Sequence, residues 1–273
     1  MSERPRRLVV VAGTATEIGK TWVSAALATE LVADHWAVEA RKPAQSGGHG
    51  DPSDADLLAA ATEEASTTVC PPHRRYSVPM APPMAAEATG LEPPTIAELV
   101  GEVAASWGPR AADVGLVELA GGVASPAGTD GDGADLAAAL APDAVVLVAD
   151  AGLGTINAVR LSLARLAVVG LNAVVYLNRY DDGDDLHRRN RAWLADRDGL
   201  SVLTSISALV EWTLGRAPLH CGYCGKPVTE CDSSCTRPLD LDRYCVRCGR
   251  RVVVSLSPIR HSARCKVHGT HCA

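Results

Sequence analysis

Along the first 210 residues, short unbroken apolar runs alternate with longer stretches in which apolar residues recur at helical spacing. Leu8-Val9-Val10-Val11 is continuous, β-branched in three of its positions, and ends in Ala12-Gly13, the pattern of a strand buried on both faces of a parallel sheet. From Lys20 to about Ala33, Val23, Ala26, Leu27 and Leu31 fall on one face of a helix. Further strands are predicted at 37–41, 113–118, 144–149 and 173–177, and helices at 54–63, 94–105, 156–169 and 185–196. Such alternation predicts an α/β fold, a mostly parallel sheet with helices on both faces. Folds of this kind place their active sites at the carboxyl ends of the strands. Most of the chemistry-bearing motifs of this long segment lie at or just beyond those predicted ends.

The first strand end carries Gly13-Thr-Ala-Thr-Glu-Ile-Gly19-Lys20-Thr21, with a predicted helix directly after it. Glycines let the backbone curl so that N–H groups face phosphate oxygens, and a helix N-terminus favours negative charge. Lys20 would neutralise the β- and γ-phosphates, and the Thr21 hydroxyl would ligate Mg²⁺. The loop is one residue longer between its glycines than the standard phosphate-binding pattern, and an ordinary Gly-containing turn is the bland alternative. It carries no dinucleotide fingerprint, so a nucleoside triphosphate is the expected ligand. Magnesium needs carboxylates beside a hydroxyl. Glu118 closes the predicted 113–118 strand ahead of Ala120-Gly121-Gly122. Asp54 and Asp56 open the predicted 54–63 helix, where either could ligate the ion or cap the helix. Lysine usage sharpens this picture. Four lysines stand against 22 arginines, and only Lys20 and Lys42 precede residue 218. Each of those two is expected to have a specific task.

Charge and cysteine divide the chain. Residues 1–217 hold 17 Lys+Arg against 28 Asp+Glu, whereas residues 218–273 hold 9 against 4 and eight of the nine cysteines. Two domains are expected, 1–217 and 218–273, the second too small to be held by apolar burial alone. An apolar fraction of 47% excludes a disordered chain. No apolar run approaches the roughly 20 residues of a membrane helix, and the stretch at 8–12 is too short for a signal peptide. A cytoplasmic location is expected.

The long phosphate loop, Lys42-Pro-Ala-Gln-Ser46-Gly, Glu118-Leu-Ala-Gly-Gly and Gly154-Thr-Ile-Asn157 follow one another in this order, with Asn178 ending a late strand. This succession resembles the motifs of the dethiobiotin synthetases, over residues 1 to about 210. The resemblance implies a P-loop NTPase-type enzyme that carboxylates 7,8-diaminononanoate with CO₂ and closes a cyclic urea, using ATP and Mg²⁺. It implies a homodimer with sites at the subunit interface. It also implies roles. Glu17, Ile18, Gly19, Lys20, Thr21 and Trp22 would wrap the nucleotide phosphates, with Gly121 beside them and Asn178 reading the adenine. Thr21, Asp54 and Glu118 would surround Mg²⁺. Thr16, Lys42 and Ser46 would hold the substrate's carbamate, Lys42 and Lys20 being the catalytic cations. Gly154, Thr155, Ile156 and Asn157 would hold the distant substrate carboxylate at a helix N-terminus. Four places depart from the pattern: Ala15 where Asp is common, Leu119 for a Gly, Ala158 for a His, and Ile206-Ser-Ala-Leu209 without its Pro. The alternative function is a P-loop ATPase domain with another substrate or a degenerate site, acting mainly as a metal-binding partner protein.

In the tail, Cys221-Gly-Tyr-Cys224-Gly-Lys226 and Cys245-Val-Arg-Cys248-Gly-Arg250 repeat one pattern. Cys231 and Cys235 lie between them, and Cys265 and His268 follow a hairpin-like stretch at 251–264. In a cytosolic chain such a pattern reads as metal thiolate before disulfide. Two sets can be written in sequence order, Cys221, Cys224, Cys231, Cys235 and then Cys245, Cys248, Cys265, His268. A crossed pairing of the two C-x-x-C knuckles is equally legal. His271 and Cys272 are spare and read as frayed. A zinc ribbon holding Zn²⁺ and an iron–sulfur cluster both fit these donors. From Arg243 onward the tail resembles the small biotin synthase auxiliary proteins of actinobacteria, which implies biotin synthase as a partner. Few aromatics, and positive charge that would offset thiolates, argue against nucleic acid.

Overall fold

The apolar runs become the strands of one six-stranded sheet in the computed structural model. These are β1 (Arg7–Gly13), β2 (Val38–Arg41), β3 (Val114–Glu118), β4 (Ala144–Asp150), β5 (Val174–Asn178) and β6 (Val202–Leu203). Their order across the sheet is β6-β5-β4-β1-β3-β2, and every pairing is parallel. The helices are α1 (Lys20–Ala33), α2 (Asp54–Thr62), α3 (Ser66–Val69), α4 (Pro82–Ala88) and α5 (Ile96–Ser106), then α6 (Gly133–Ala139), α7 (Thr155–Val168), α8 (Asp185–Ala192) and α9 (Ile206–Thr213). Described residues are 2–47, 52–215, 221–226, 231, 235, 243–245, 250–256, 261–266 and 269–272. The expected domain boundary at 217/218 lies outside them. The chain divides into two compact units, Met1–Val210 and Glu211–Ala273.

Central β1 is buried from Leu8 to Gly13. Leu8, Val10 and Ala12 share a core with Val117, Leu147, Val175 and Leu177 of the neighbouring strands and with Leu99, Val159 and Leu166 of the helices. Boundaries shift where a cap, not periodicity, starts a helix. Thr95 and Glu98 form a reciprocal capping box, so α5 begins at Ile96 rather than 94. Four helices are absent from the sequence reading, α3, α4, α6 and α9; of these, α4 and α6 start at Pro82 and Gly133, residues that read as breakers. Pro82 suits a first helical turn because its missing N–H has no partner there, and Asp132 caps α6 through a second box. The expected 185–196 helix ends early, at Ala192, and continues as a wider π turn over Trp193–Arg197.

In the second unit, β7 (Val253–Leu256) and β8 (His261–Cys265) form the expected hairpin, and β9 (Gly269–Cys272) adds antiparallel to β8. The end of the chain read as frayed is therefore a paired strand: Cys272 stands opposite Ser262 and His271 opposite Ala263. The repeated knuckles also repeat in geometry. Cys221 N–H donates to Lys226 O and Cys245 N–H to Arg250 O, both at 2.7 Å. No helix among the described residues is long and apolar enough to cross a membrane.

Candidate active site

The β1–α1 turn owes its close packing to two glycines. Gly19, the residue before α1, sits at φ +88°, where a Cβ would stand 2.1 Å from the side-chain nitrogen of Asn178. A Cβ on Gly13 would stand 2.7 Å from Cδ of Lys20. Asn178, at the end of β5, is buried and donates its amide to Ile18 O at 2.9 Å. Next to it, Arg179 reaches Glu17 O at 3.2 Å. Thus β5 grips the loop by its backbone from across the sheet. Lys20 is buried and donates to Ala15 O at 2.8 Å. Burial, then the charge of Lys42, pushes its ammonium down to about 8, against the pull of Glu118 and Asp54.

Strand register builds the charged centre. Arg41 pairs with Val117 and Val11 with Glu118, so Lys42, one residue past the end of β2, comes beside Glu118. Lys42 Nζ lies 2.6 Å from Glu118 Oε1 and 2.7 Å from Asp54 Oδ2. Thr21 Oγ lies 2.8 Å from each of the same two side chains. Lys42 and Glu118 are 2% and 1% exposed. Burial alone would lower the lysine, but the charges of Glu118 and Asp54 hold it above its ordinary value. Burial likewise works against the Asp54 carboxylate, and Lys42 more than offsets it, keeping Asp54 below the usual range. The two aspartates of α2 divide their tasks: Asp56 completes a capping box with Ser53, while Asp54 faces the centre.

These donors fit magnesium. Three hard oxygen ligands converge, the Thr21 hydroxyl has one proton for two carboxylates, and Oε2 of buried Glu118 has no hydrogen-bond partner. Sequence reasoning missed Arg41, which anchors the end of β2. Its buried guanidinium pairs with Glu39 and Glu64 at 2.6 Å and lies 4.4 Å from the Trp107 ring centroid. It also missed Gln45, whose Oε1 accepts the Ala55 N–H at the start of α2.

A cleft of about 700 Å³ gathers Thr16, Glu17, Gly19, Lys20, Thr21, Lys42, Ser46, Asp54 and Gly121. A second cavity of about 580 Å³ is lined by Thr14, Ala15, Asn157 and Ala158. Thr16 and Ser125 line both. Ser46 Oγ donates to Met80 O at 2.6 Å. Gly154 takes φ +91° ahead of α7, and Thr155 is buried with Oγ1 unpartnered. Ile156 packs on the core, whereas Trp22 is exposed on α1.

Residues 7–212 match the model of a family described as an AAA domain. ATP-dependent dethiobiotin synthetase BioD of Anaeromyxobacter sp. (strain K) is 40% identical over 205 residues, 72% of this chain and 89% of its own. That of Rhodococcus jostii is 41% identical over 209 residues, 74% and 86% of the two chains. The chain belongs to the dethiobiotin synthetase family. Among solved structures, a DUF1611 family protein from Anabaena variabilis has a TM-score of 0.45 at 17% identity, over 78% of this chain and 58% of that one.

Within this family setting, two of the four departures from the motif, Leu119 and Ala15, have local explanations. Leu119, in place of a glycine, is 2% exposed and packs in the core, its N–H donating to Val11 O at 3.0 Å. Ala15 contributes the carbonyl that receives Lys20, a task that needs no side chain. Ala158 lines the second cavity.

The second unit has its own cluster. Sulfurs of Cys221, Cys224, Cys231 and Cys235 all lie within 4.8 Å of one another, a set that fits a metal ion. Of the two ligand pairings, the first sequential set is thus the one brought together. Backbone N–H groups of Cys224, and then Tyr223, hold the Cys221 thiol down to about 6 against burial, whereas neighbouring Cys221 and Cys231 push Cys235 up to about 12. In the second set Cys245 is buried, while Cys248, the Cys265 side chain and His268 lie outside the described residues.

Proposed function

We propose that this chain makes dethiobiotin from 7,8-diaminononanoate, CO₂ and ATP. The observation that carries this reading is the meeting of Lys42, Thr21, Asp54 and Glu118 beside the phosphate loop. One substrate amine captures CO₂, loses a proton and becomes a carbamate. Lys42, with Thr16 and Ser46, stabilises that anion. A carbamate oxygen then attacks the γ-phosphorus of ATP, and ADP leaves with its charge neutralised by Lys20 and the loop N–H groups. The second amine attacks the carbonyl carbon of the mixed anhydride, expels phosphate and loses a proton to it or to solvent as the ring closes. Every step asks for positioning and charge neutralisation more than for acid–base chemistry. Thr21, Asp54 and Glu118 would hold Mg²⁺, which would supply further charge neutralisation at the phosphates. Asn178 keeps the loop in shape and reads the adenine, and the N–H groups at Gly154–Asn157 hold the substrate's carboxylate.

The active form is a homodimer. An apolar row on α7 supports this, with Leu161 and Val168 exposed in line with Asn157 and Leu153 exposed just before the helix. The reading carries a cytoplasmic location with it. The tail binds a metal, as Zn²⁺ or an iron–sulfur cluster, and assists biotin synthase, which consumes dethiobiotin; retention of purified biotin synthase by the full chain tests this partnership. The activity itself is tested with pure protein, diaminononanoate, ATP, Mg²⁺ and bicarbonate. Dethiobiotin and ADP should form in equal amounts. ATP binding without any substrate-dependent product would overturn the assignment.

A further inference from the structure

We propose that Cys221, Cys224, Cys231 and Cys235 hold a single zinc ion as a mononuclear four-thiolate centre. The proposal rests on the reading of the tail as a metal module and decides between its two metal chemistries.

Sulfur spacing carries the argument. Four thiolates at about 2.3 Å from one zinc ion form a tetrahedron whose edges are about 3.8 Å. Here Cys224 and Cys231 are 3.8 Å apart, and Cys235 lies 3.5 Å from both Cys221 and Cys231. Every pair in the set is within 4.8 Å. An iron–sulfur cluster distributes its cysteines over two or more irons joined by sulfide, so thiolates on opposite irons stand well beyond one tetrahedral edge. Four sulfurs gathered around one point leave space for one ion and none for bridging sulfide.

The surrounding backbone agrees. Gly225 takes φ +74° and its N–H donates to Cys221 O at 2.8 Å, while Cys221 N–H donates to Lys226 O at 2.7 Å. This closed turn fixes both cysteines of the first knuckle on one side of the chain. Four thiolates around a dication leave net negative charge, and the formal surplus of Lys+Arg over Asp+Glu in 218–273 offsets it. An all-thiolate tetrahedral set selects zinc among the common divalent ions. These four cysteines are then fully committed, and this centre has no cluster to pass to a partner.

The full chain, purified anaerobically, is analysed for zinc, iron and acid-labile sulfide, beside a Cys231→Ser/Cys235→Ser double variant. A colourless wild-type protein that contains zinc, with one equivalent missing from the variant, is the expected result. Because the variant could also unfold the tail, Co²⁺ is exchanged into the wild-type chain as a second measurement. It should give the intense visible bands of tetrahedral cobalt thiolate. Iron with labile sulfide, lost in the variant, would overturn the mononuclear centre yet leave a metal-binding tail. Iron without sulfide would equally overturn the assignment to zinc. Equal metal content in both proteins, with no cobalt bands, would overturn both.

Discussion

With the Lys42 ammonium within 2.7 Å of both Asp54 and Glu118, the carboxylates that suit magnesium are already neutralised by a side chain. A divalent ion bound there would therefore compete with Lys42 for one acidic pair. At such separations the Coulomb attraction of a charge pair is about 6 kcal/mol even at an effective dielectric of about 20. Lys42→Met should abolish dethiobiotin formation, yet nucleotide-free protein should bind Mn²⁺ about tenfold more tightly, as read by electron paramagnetic resonance titration. Lys42→Arg, which keeps the charge, should stay weak for the metal. Unchanged or poorer Mn²⁺ affinity in the methionine variant would mean that the ammonium and the ion do not compete. Gly19 makes a second residue-scale case. Alanine there meets a left-handed backbone, a strain of about 1–2 kcal/mol, and its Cβ would displace the Asn178 amide from the Ile18 carbonyl. Gly19→Ala should remain folded by circular dichroism and bind a fluorescent ATP analogue at least tenfold more weakly; wild-type affinity would argue against the grip of β5 on the loop. The glycine, the lysines and the acids were legible as a motif. The Asn178–Ile18 bond was not, because it spans 160 residues of chain and no local pattern records it.

At the scale of the element, Leu119 stands where the strand β3 gives way to the glycine-containing turn at 120–122. A glycine there would fit the family motif, but in this chain the leucine fills the core. Leu119→Gly should destabilise the protein by about 3–4 kcal/mol through cavity formation and added backbone freedom. The midpoint of thermal unfolding should fall by roughly 10 °C, with no gain in ATP affinity. A variant as stable as the parent would mean that the core closes over the gap. The end of β2 depends on Arg41 in a related way. Its guanidinium joins Glu39, Glu64 and Ser106 just before Lys42. Strands were readable because continuous Val/Leu/Ala runs have one reading in a doubly covered sheet. Helices α4 and α6 were not, because proline and glycine open them and capping geometry starts them.

For the whole molecule, α7 is the element whose sequence leaves most undecided, since it is apolar on two faces. Val159, Ser162 and Leu166 are buried against the sheet. Asn157, Leu161, Ala164 and Val168 form an exposed row on the helix, and Leu153 before it is 92% exposed. Periodicity located this helix but could not say which apolar face met water, because both repeat at nearly the same spacing. Likewise, net charge and cysteine count separated the tail from the enzyme, but only spatial proximity grouped its cysteines. The exposed row begins at Asn157, which lines the cavity beside Thr14 and Thr16. A second copy covering the row would therefore also complete the end of the site expected to take the substrate's carboxylate. Leu161→Arg/Val168→Asp should convert the protein to a monomer in analytical ultracentrifugation. Leu161 itself lines the cavity with Thr14, Ala15 and Thr16, whereas Val168 does not, so Val168→Asp alone is the control: as a monomer it should keep its ATP affinity while KM for diaminononanoate rises at least tenfold. A variant that remains dimeric, or a monomer with unaltered KM, would remove the partner subunit from the substrate site.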